Sequence, residues 1–584
     1  MRLPVPRSPV ARVALLAAGA LLLITALAAR TDSLTPREQA LHALNRLAFG
    51  PRPGDADRVA RMGVSAYIRE QLYPERIPDA RVEARLAGLP TLSMSNAELI
   101  ARFEVPLREA RRKIKAERAA KEDGAAGDAE PTNAEMLKLR DLIPPENRPR
   151  RILDELTAAR IVRASESERQ LNEVLVDFWM NHFNVYAQKG QDRIAIVAFE
   201  RDTIRPHIWG RFEDLLQATA KSPAMLFYLD NARSVADEEH RASAVPAARA
   251  ARVANPNAPR GLNENYAREL MELHTLGVDG GYTQKDVTEL ARILTGWSIG
   301  RPRMKGEAGG ELARGMFRGR RRTGSDTGAG TLRSPDTGEE PGQFLFRERA
   351  HDVGEKTLLG VRFTPAGMAE GERAIAMLAR HPATARHIAY KLCQRLVADE
   401  PPAALVDRVA KRFLATDGDL RDTVRAIVES PEFFDPQYYR AKIKSPFEYV
   451  VSALRAVGGS TDGRAIAKEI AEMGQPLYLC QPPTGYSDTS QAWISSGALL
   501  ARLNFALSLA QGRLAGTQTD TRRVLADAGG GSPGRSVDAA AHSLIGTDVS
   551  SETLQTISRR LAEGGGSETL VAGLLLGSPE FQRQ

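Results

Sequence analysis

The chain has 584 residues, of which 80 are Lys or Arg and 73 are Asp or Glu, and its formal net charge is +7. Arg2, Arg7 and Arg12 precede an apolar N-terminal segment, and without them the net charge falls from +7 to +4, too little to indicate a nucleic-acid partner. Aromatic residues make up only 6%, while Ala, Arg, Leu and Glu are abundant, which favours helices over sheets.

The N-terminus has the pattern of a secretory signal peptide. Residues 1–12 hold three arginines and no acidic residue, and residues 13–29 are apolar or small apart from one threonine. We expect cleavage after the small-x-small pattern that ends at Ala28, so that residues 1–28 are removed. The alternative is an uncleaved membrane anchor, although about 17 helical residues span roughly 25 Å, just short of a bilayer core. Either way, the remainder is expected to be extracytoplasmic, periplasmic or secreted.

Helical patterns fill most of the remaining chain. They cover Thr35 to Phe49, Asp55–Met62, Val64–Leu72, 97–122, Leu153 to Arg163, Glu168 to Asn181, 370–429, Phe447 to Val457, Ile466 to Met473 and Ser496 to Gln511. Phe344–Phe346 and Lys356 to Phe363 are short strand patterns. The chain is therefore predicted to be mainly α, a multi-helix globular array with a short β-hairpin near residues 344–363.

Two stretches with few apolar residues mark connections. Residues 301–343 are rich in Gly and Arg and are predicted to form a long loop insertion, and residues 529–536 are predicted to form a Gly-Ser linker. This divides the mature chain into a helical domain over residues 33–512, which contains the insertion, and a C-terminal helical tail over residues 513–584.

The two cysteines, Cys393 and Cys480, are far apart and match no metal or redox spacing. In an oxidising compartment they could form one disulfide, and two separate buried thiols are the alternative. The preference of cysteine for protein cores favours the thiols.

The stretch over residues 261–298 indicates a helix, a glycine turn and a second helix. Gly277 and Gly281 lie in the turn, since glycine tolerates the positive φ that the end of a helix often needs. Thr283, with Asp286 three residues later, predicts a capping box at the start of the second helix.

The first of these helices carries candidate catalytic residues. Glu269 and Glu272 lie one turn apart, and two such carboxylates are costly to desolvate unless a cation meets them. His274 lies near the edge of the apolar face of the same helix. A second candidate, His182, lies in the unusual sequence DFWMNHFN over residues 177–184. Its predicted role is that of a metal ligand or a general base, and the alternative is a histidine packed in the core.

A third group of candidates lies on a predicted turn over residues 349–356. It contains the pair His351 and Asp352, followed by Lys356. The catalytic candidates are thus His182, Glu269, His274 and Lys356, and the candidate metal ligands are His182, Glu269, His351 and Asp352. Imidazole with carboxylate suits a divalent metal ion as cofactor. A hairpin stabilised by side-chain hydrogen bonds is the structural alternative for the turn.

Seven motifs together resemble an uncharacterised bacterial family, catalogued as domain of unknown function 1800. They are LNRLAFGPRPGD, DFWMNHFNV, NENYARELMELHTLGVDGGYTQKDVTELARILTGW, FRERAHDVGEKTLLG, HPATARHIAYKLCQRLV, GDLRDTVRAIVESPEFF and PPTGYSD…AWISSGALLARLNFA. The resemblance implies a mostly helical, exported protein. It also implies a possible neighbour, because the family is often encoded beside exported proteins that resemble sulfatases and alkaline phosphatases. It implies no catalytic residue.

Two functions follow from these observations. One is a metal-assisted hydrolase or maturation factor that uses the His, Glu and Asp candidates. The other is an envelope scaffold or partner-binding protein in which Arg268 or Arg292 neutralises the glutamates and the histidines complete a buried polar network. The second is favoured, because the sequence contains no HExxH, GxSxG, phosphate-binding or dinucleotide-binding motif.

Overall fold

The computed structural model describes residues 33–121, 132–237, 240, 261–300, 340–527, 533–546, 549–562 and 568–584. The predicted signal segment, the alternative anchor over residues 13–29 and nearly all of the predicted insertion over 301–343 lie outside these residues. Part of the predicted linker over 529–536 lies outside them as well. Within the described ranges, no helix is both long enough and apolar enough to cross a membrane.

The fold is mainly α-helical, which confirms the predicted class. The helices of the N-terminal part are α1 Pro36–Arg46, α2 Asp55–Met62, α3 Val64–Gln71, α4 Ala80–Leu86, α5 Asn96–Leu99, α6 Val105–Lys121, α7 Asn133–Leu142, α8 Arg150–Glu166, α9 Gln170–His182, α10 Asp192–Ala198, α11 Phe212–Lys221 and α12 Pro223–Tyr228. A π-helical turn, Ile100–Glu104, joins α5 to α6, and another, Phe199–Ile204, extends α10.

The remaining helices pack against these and against one another. They are α13 Asn265–Glu269, α14 Gln284–Ile293, α15 Met368–Ala379, α16 Pro382–Leu396, α17 Ala403–Ala415, α18 Leu420–Val428, α19 Pro446–Ala456, α20 Arg464–Glu472, α21 Ser496–Ala510, α22 Thr521–Asp527, α23 Pro533–Leu544, α24 Ser551–Ala562, α25 Glu568–Leu576 and α26 Pro579–Gln582. The C-terminal helices are not isolated from the others, because α25 packs along α21.

The strands form three short antiparallel pairs. They are β1 Trp297–Ile299 with β2 Phe344–Phe346, β3 Lys356–Leu358 with β4 Val361–Phe363, and β5 Ser460–Thr461 with β6 Thr517–Gln518. A hairpin does lie within residues 344–363, but it is β3–β4, formed inside the predicted single strand Lys356 to Phe363. Its turn residues Leu359 and Gly360 both have positive φ, as a tight two-residue hairpin turn requires. The other predicted strand, β2, pairs instead with β1.

The helix–turn–helix prediction for residues 261–298 is confirmed as far as Ile293, where α14 ends, whereas Trp297 and Ser298 belong to strand β1. Helix α13 continues through a π-helical turn, Leu270–Thr275, and the chain then reverses at Gly277, whose φ is +83°. Thr283 and Asp286 form the predicted capping box at the start of α14. A β-carbon at Gly277 would lie 3.1 Å from His387 Nδ1, so the turn also needs glycine for close packing.

Two buried helices form the centre of the fold. Every residue of α19 is buried, α8 is buried along most of its length, and the two helices pack against each other. One continuous apolar cluster connects them to the other helices, from Ala40 in α1 to Phe581 in α26. Since α8 also buries charged residues such as Arg160, the surrounding helices must supply partners for those charges.

Cys393 and Cys480 are both free, buried thiols in the structure. Burial raises the pKa of Cys393 to about 12 and that of Cys480 to about 11, so neither is activated as a nucleophile.

Candidate functional site

Two asparagines at the end of α9 bind an extended, proline-rich segment, residues 475–493, which we call the strap. Asn181 donates from Nδ2 to the carbonyl of Tyr486 at 2.8 Å and accepts the Tyr486 amide at 2.7 Å. Asn184 donates to the carbonyls of Cys480 and Pro482 at 3.0 and 2.8 Å. Pro476, Pro482 and Pro483 lack an N–H and interrupt backbone pairing along the strap, and side-chain amides supply part of the missing bonds.

Further bonds lie within the strap and at its C-terminal part. The Tyr486 hydroxyl donates to the carbonyl of Pro476 at 2.7 Å, and the indole of Trp493 donates to the carbonyl of Ser487 at 3.2 Å. Asp399, outside the strap, accepts the amide of Ser490 at 2.7 Å. The strap is therefore held by internal bonds and by side-chain bonds from Asn181, Asn184 and Asp399.

A polar cleft opens between the strap, the end of α9 and the start of α19. Its volume is about 750 Å³, including the opening to solvent. Among the lining residues are three cations and three carboxylates, together with amide, hydroxyl and aromatic side chains. The charged lining residues are Arg160, Arg395, Lys442, Asp177, Glu448 and Asp488.

The charges of the polar cleft are paired with one another or with close neighbours. Arg395, at the end of α16, bonds to Glu448 of α19 and to Asp177 of α9, the latter at 3.2 Å. Asp177 also bonds to Arg160 of α8. Burial opposes ionisation of Glu448, but the charge of Arg395, the amide of Ser445 and further neighbours together outweigh burial and lower the Glu448 pKa. The cleft is thus charge-balanced and built before any ligand enters.

Two more ion pairs join the strap side of the cleft to the helices. Lys391 of α16 pairs with Asp488, and Lys442 pairs with Asp399 at 2.6 Å while also donating to the carbonyl of Asp488 at 3.3 Å. Arg160 has one donor left over, because its buried Nε has no hydrogen-bond partner among the described residues.

The predicted candidates His182 and His274 are brought together with a third histidine, His387. The ring centroids of His182 and His274 are 6.1 Å apart, as are those of His182 and His387. Two of the rings bond to backbone carbonyls. His182 Nε2 donates to the carbonyl of His274 at 3.3 Å, and His387 Nε2 donates to the carbonyl of Leu273 at 3.2 Å. Trp179 and Phe183 pack against the ring of His182.

The predicted candidates His351, Asp352 and Lys356 form a second buried group with Glu370 of α15. Lys356 donates to Glu370 at 2.7 Å, and His351 Nε2 bonds to the other oxygen of Glu370 at 3.3 Å. Arg292 bonds to both oxygens of Asp352, at 2.8 and 3.2 Å. Burial opposes ionisation of Glu370, but the bonds from His351 and Lys356 lower its pKa to about 2.

Glu269 belongs to neither group. It is half-buried, and burial together with the charge of Glu272 raises its pKa. The two arginines predicted to neutralise Glu269 and Glu272 form ion pairs with other carboxylates. Arg292 pairs with Glu289 and Asp352, and Arg268 pairs with Glu264 at 3.5 Å. Arg268 still lowers the pKa of Glu269 through its charge, as the weakest of the three influences on that carboxyl.

The predicted metal ligands are divided between these environments. His182 contacts the other two histidines, whereas His351 and Asp352 are bonded to Lys356, Arg292 and Glu370. In the described part of the chain, no group of three or more His, Cys, Asp or Glu residues could hold a metal ion. The metal-hydrolase interpretation therefore gains no support from these residues.

The sequence did not reveal the charged lining of the polar cleft. Lys442 and Glu448 lie outside the seven family motifs, and Arg395 lies near the end of the motif HPATARHIAYKLCQRLV, which indicates no chemistry by itself. One signal was present in the sequence: Glu448 is a charged residue in the otherwise largely apolar helix α19. A charged residue at such a buried position requires a partner.

The chain matches a family model over residues 42–583, and the family is described as protein of unknown function, DUF1800. The match covers nearly the whole chain, so the protein belongs to this family, as the resemblance of its motifs predicted. No curated protein and no solved structure matches the chain.

The three neighbouring histidines predict acid sensitivity. Burial lowers the pKa of His182, His274 and His387, that of His274 to about 3. The unfolded chain binds their protons near pH 6.5, so the stability that the neutral rings contribute is complete above about pH 6.5 and is lost as the pH falls toward 3. For His274 the loss between pH 7 and pH 5 is about 2 kcal/mol.

Guanidinium unfolding of the wild type and of His274→Gln at pH 7 and pH 5 measures this loss. The variant should lose about 2 kcal/mol less than the wild type over that interval, because one titrating ring is absent. Equal losses in the two proteins would mean that His274 is not held neutral by burial.

The second buried group predicts strong coupling between Lys356 and Glu370, whose side chains are 0% and 1% exposed. Lys356→Met alone leaves the Glu370 carboxylate without its cation, and we expect a loss of about 3–5 kcal/mol of unfolding free energy. In Lys356→Met/Glu370→Gln neither charge remains, so the loss should be smaller than the sum of the two single losses. A double-mutant cycle by denaturant unfolding tests this, and additive losses would show that the pair is not coupled.

Proposed function

We propose that this protein is an exported, non-catalytic binding protein of the bacterial envelope, and that its polar cleft receives an extended segment of a partner protein. Support for export comes from the signal-peptide pattern of residues 1–28. Support for binding comes from the cleft, whose charges are paired internally and whose walls offer both donors and acceptors. The observation that carries the proposal is that Asn181 and Asn184 already bind one extended backbone in this place.

An extended polypeptide is the ligand that fits such walls. Its backbone presents N–H and C=O groups in alternation, and main-chain bonding of this kind is a common mode of peptide recognition. Ser487 and Gln475 lie in the lining, and Tyr486 and Trp493 add aromatic surface. A strongly anionic or cationic ligand fits less well, because the three cations and three carboxylates of the lining compensate one another.

Three of the four catalytic candidates, His182, His274 and Lys356, support binding rather than catalysis. His182 and His274 are buried, and the side chain of Lys356 is bonded to Glu370 and to the carbonyl of Asp352. A general base must reach a substrate proton, and side chains enclosed in this way do not. The first partner to test is the exported sulfatase-like or phosphatase-like protein that is expected to be encoded nearby.

Substitution at the rim of the cleft tests the proposal. Ser487 lines the cleft and is exposed, so Ser487→Arg should fold normally while placing a large cation in the path of the partner. We expect its affinity for the purified partner, measured by biolayer interferometry, to fall at least about tenfold, or about 1.4 kcal/mol.

Ser65→Arg is the matched control, because Ser65 is an exposed serine of α3 outside the cleft lining. It should bind like the wild type. Absence of binding by the wild type, or equal weakening by both variants, would contradict a role of the cleft in partner binding.

A further inference from the structure

A second cavity lies apart from the polar cleft, between the start of α10, the α5 helix with its π-helical turn, and α12. Its volume is about 430 Å³, including the opening to solvent. Apolar side chains form much of the wall, among them Ile100, Ile194 and Phe227. A concave site with a mostly apolar wall and a few polar groups has the kind of lining that is typical of small-molecule binding.

Two of the polar residues that line this cavity have acceptor oxygens without partners. Asp192 is fully buried, and neither oxygen of its carboxyl has a hydrogen-bond partner among the described residues. Asn96 donates from Nδ2 to the carbonyl of Gly342 at 2.8 Å, but its buried Oδ1 is likewise without a partner in that part of the chain. Unpaired buried acceptors are costly, so two beside one cavity call for a ligand that donates.

The cations in and around the cavity are paired with carboxylates other than Asp192, and one of these pairs, Arg108 with Glu104, lies in the cavity wall. Arg108 and Arg193 bond to the two oxygens of Glu104, at 2.9 and 3.0 Å. Lys189 bonds to Asp230 at 2.9 Å. Burial raises the pKa of Asp192 well above its usual range; Lys189 opposes this shift and Asp230 adds to it, so the charged carboxylate is disfavoured at this place.

We propose that this cavity binds a small amphiphile with a cationic amine, the alkyl part against the apolar wall and the ammonium group beside Asp192 and Asn96. An ammonium group has three donors and no acceptor, which matches a carboxylate and an amide oxygen. Its charge supplies the counter-ion that the Asp192 carboxylate does not have within the described structure. The site is independent of the polar cleft and of the partner proposed for it.

Calorimetric titration with hexylammonium, and with hexanol as the neutral probe of equal chain length, tests the proposal on the full mature chain. Hexylammonium should bind the wild type at least about tenfold more tightly than hexanol. Asp192→Asn should remove that preference, whereas Asp154→Asn, at a half-exposed carboxylate of α8, should keep it. Equal binding of the two probes, or no binding of hexylammonium, would overturn the proposal and leave an apolar or water-filled cavity only.

Discussion

The guanidinium of Arg395 is the interaction on which the polar cleft depends, because it joins three helices that are distant in sequence. It bonds to Asp177 at the end of α9 and to Glu448 in the first turn of α19, while Asp177 also bonds to Arg160 of α8. All four side chains are largely buried. Removing one partner would leave an uncompensated charge at the centre of the fold, so the helices are constrained to keep their relative positions.

This constraint also fixes the place of the strap. The ion pairs hold the end of α9, and from that end Asn181 and Asn184 reach the backbone of Tyr486, Cys480 and Pro482. Gly485 is needed beside them, since its φ is +72° and a β-carbon there would collide with Asn181. The motif DFWMNHFN therefore has a structural meaning: its asparagines bind the strap, and its histidine packs inward against aromatic rings.

Local physics made much of the fold predictable from the sequence. Helical periodicity and the proline at the first position of α1 marked helices, and Thr283 with Asp286 marked a start that the structure confirms as a capping box. The pairing of β2 with β1 was not predictable in the same way, because residues 300–343 separate the two strands in sequence and no short hairpin turn sets their register.

The candidate site was less predictable than the helices, because its parts come from distant segments. Asp177, Arg395, Glu448 and Asp488 are each ordinary charged residues in their own helix or loop, and only the packing of α8, α9, α16 and α19 makes them neighbours. Residues that were conspicuous in the sequence, such as His182 and Lys356, turned out to have their polar atoms bonded inside the fold. In this chain, the residues that stood out in the sequence belong to buried hydrogen-bond networks and not to the lining of the cleft.

Hydrogen–deuterium exchange at the strap tests most directly whether the cleft is built in advance of a ligand. In the wild type without a partner, the amide of Tyr486 should exchange as slowly as amides within α19, because Asn181 accepts its hydrogen bond at 2.7 Å. In Asn181→Ala the same amide should exchange much faster while α19 stays protected. Exchange of the wild-type Tyr486 amide at the rate of an open chain would contradict the account, since the strap would then not be held in place.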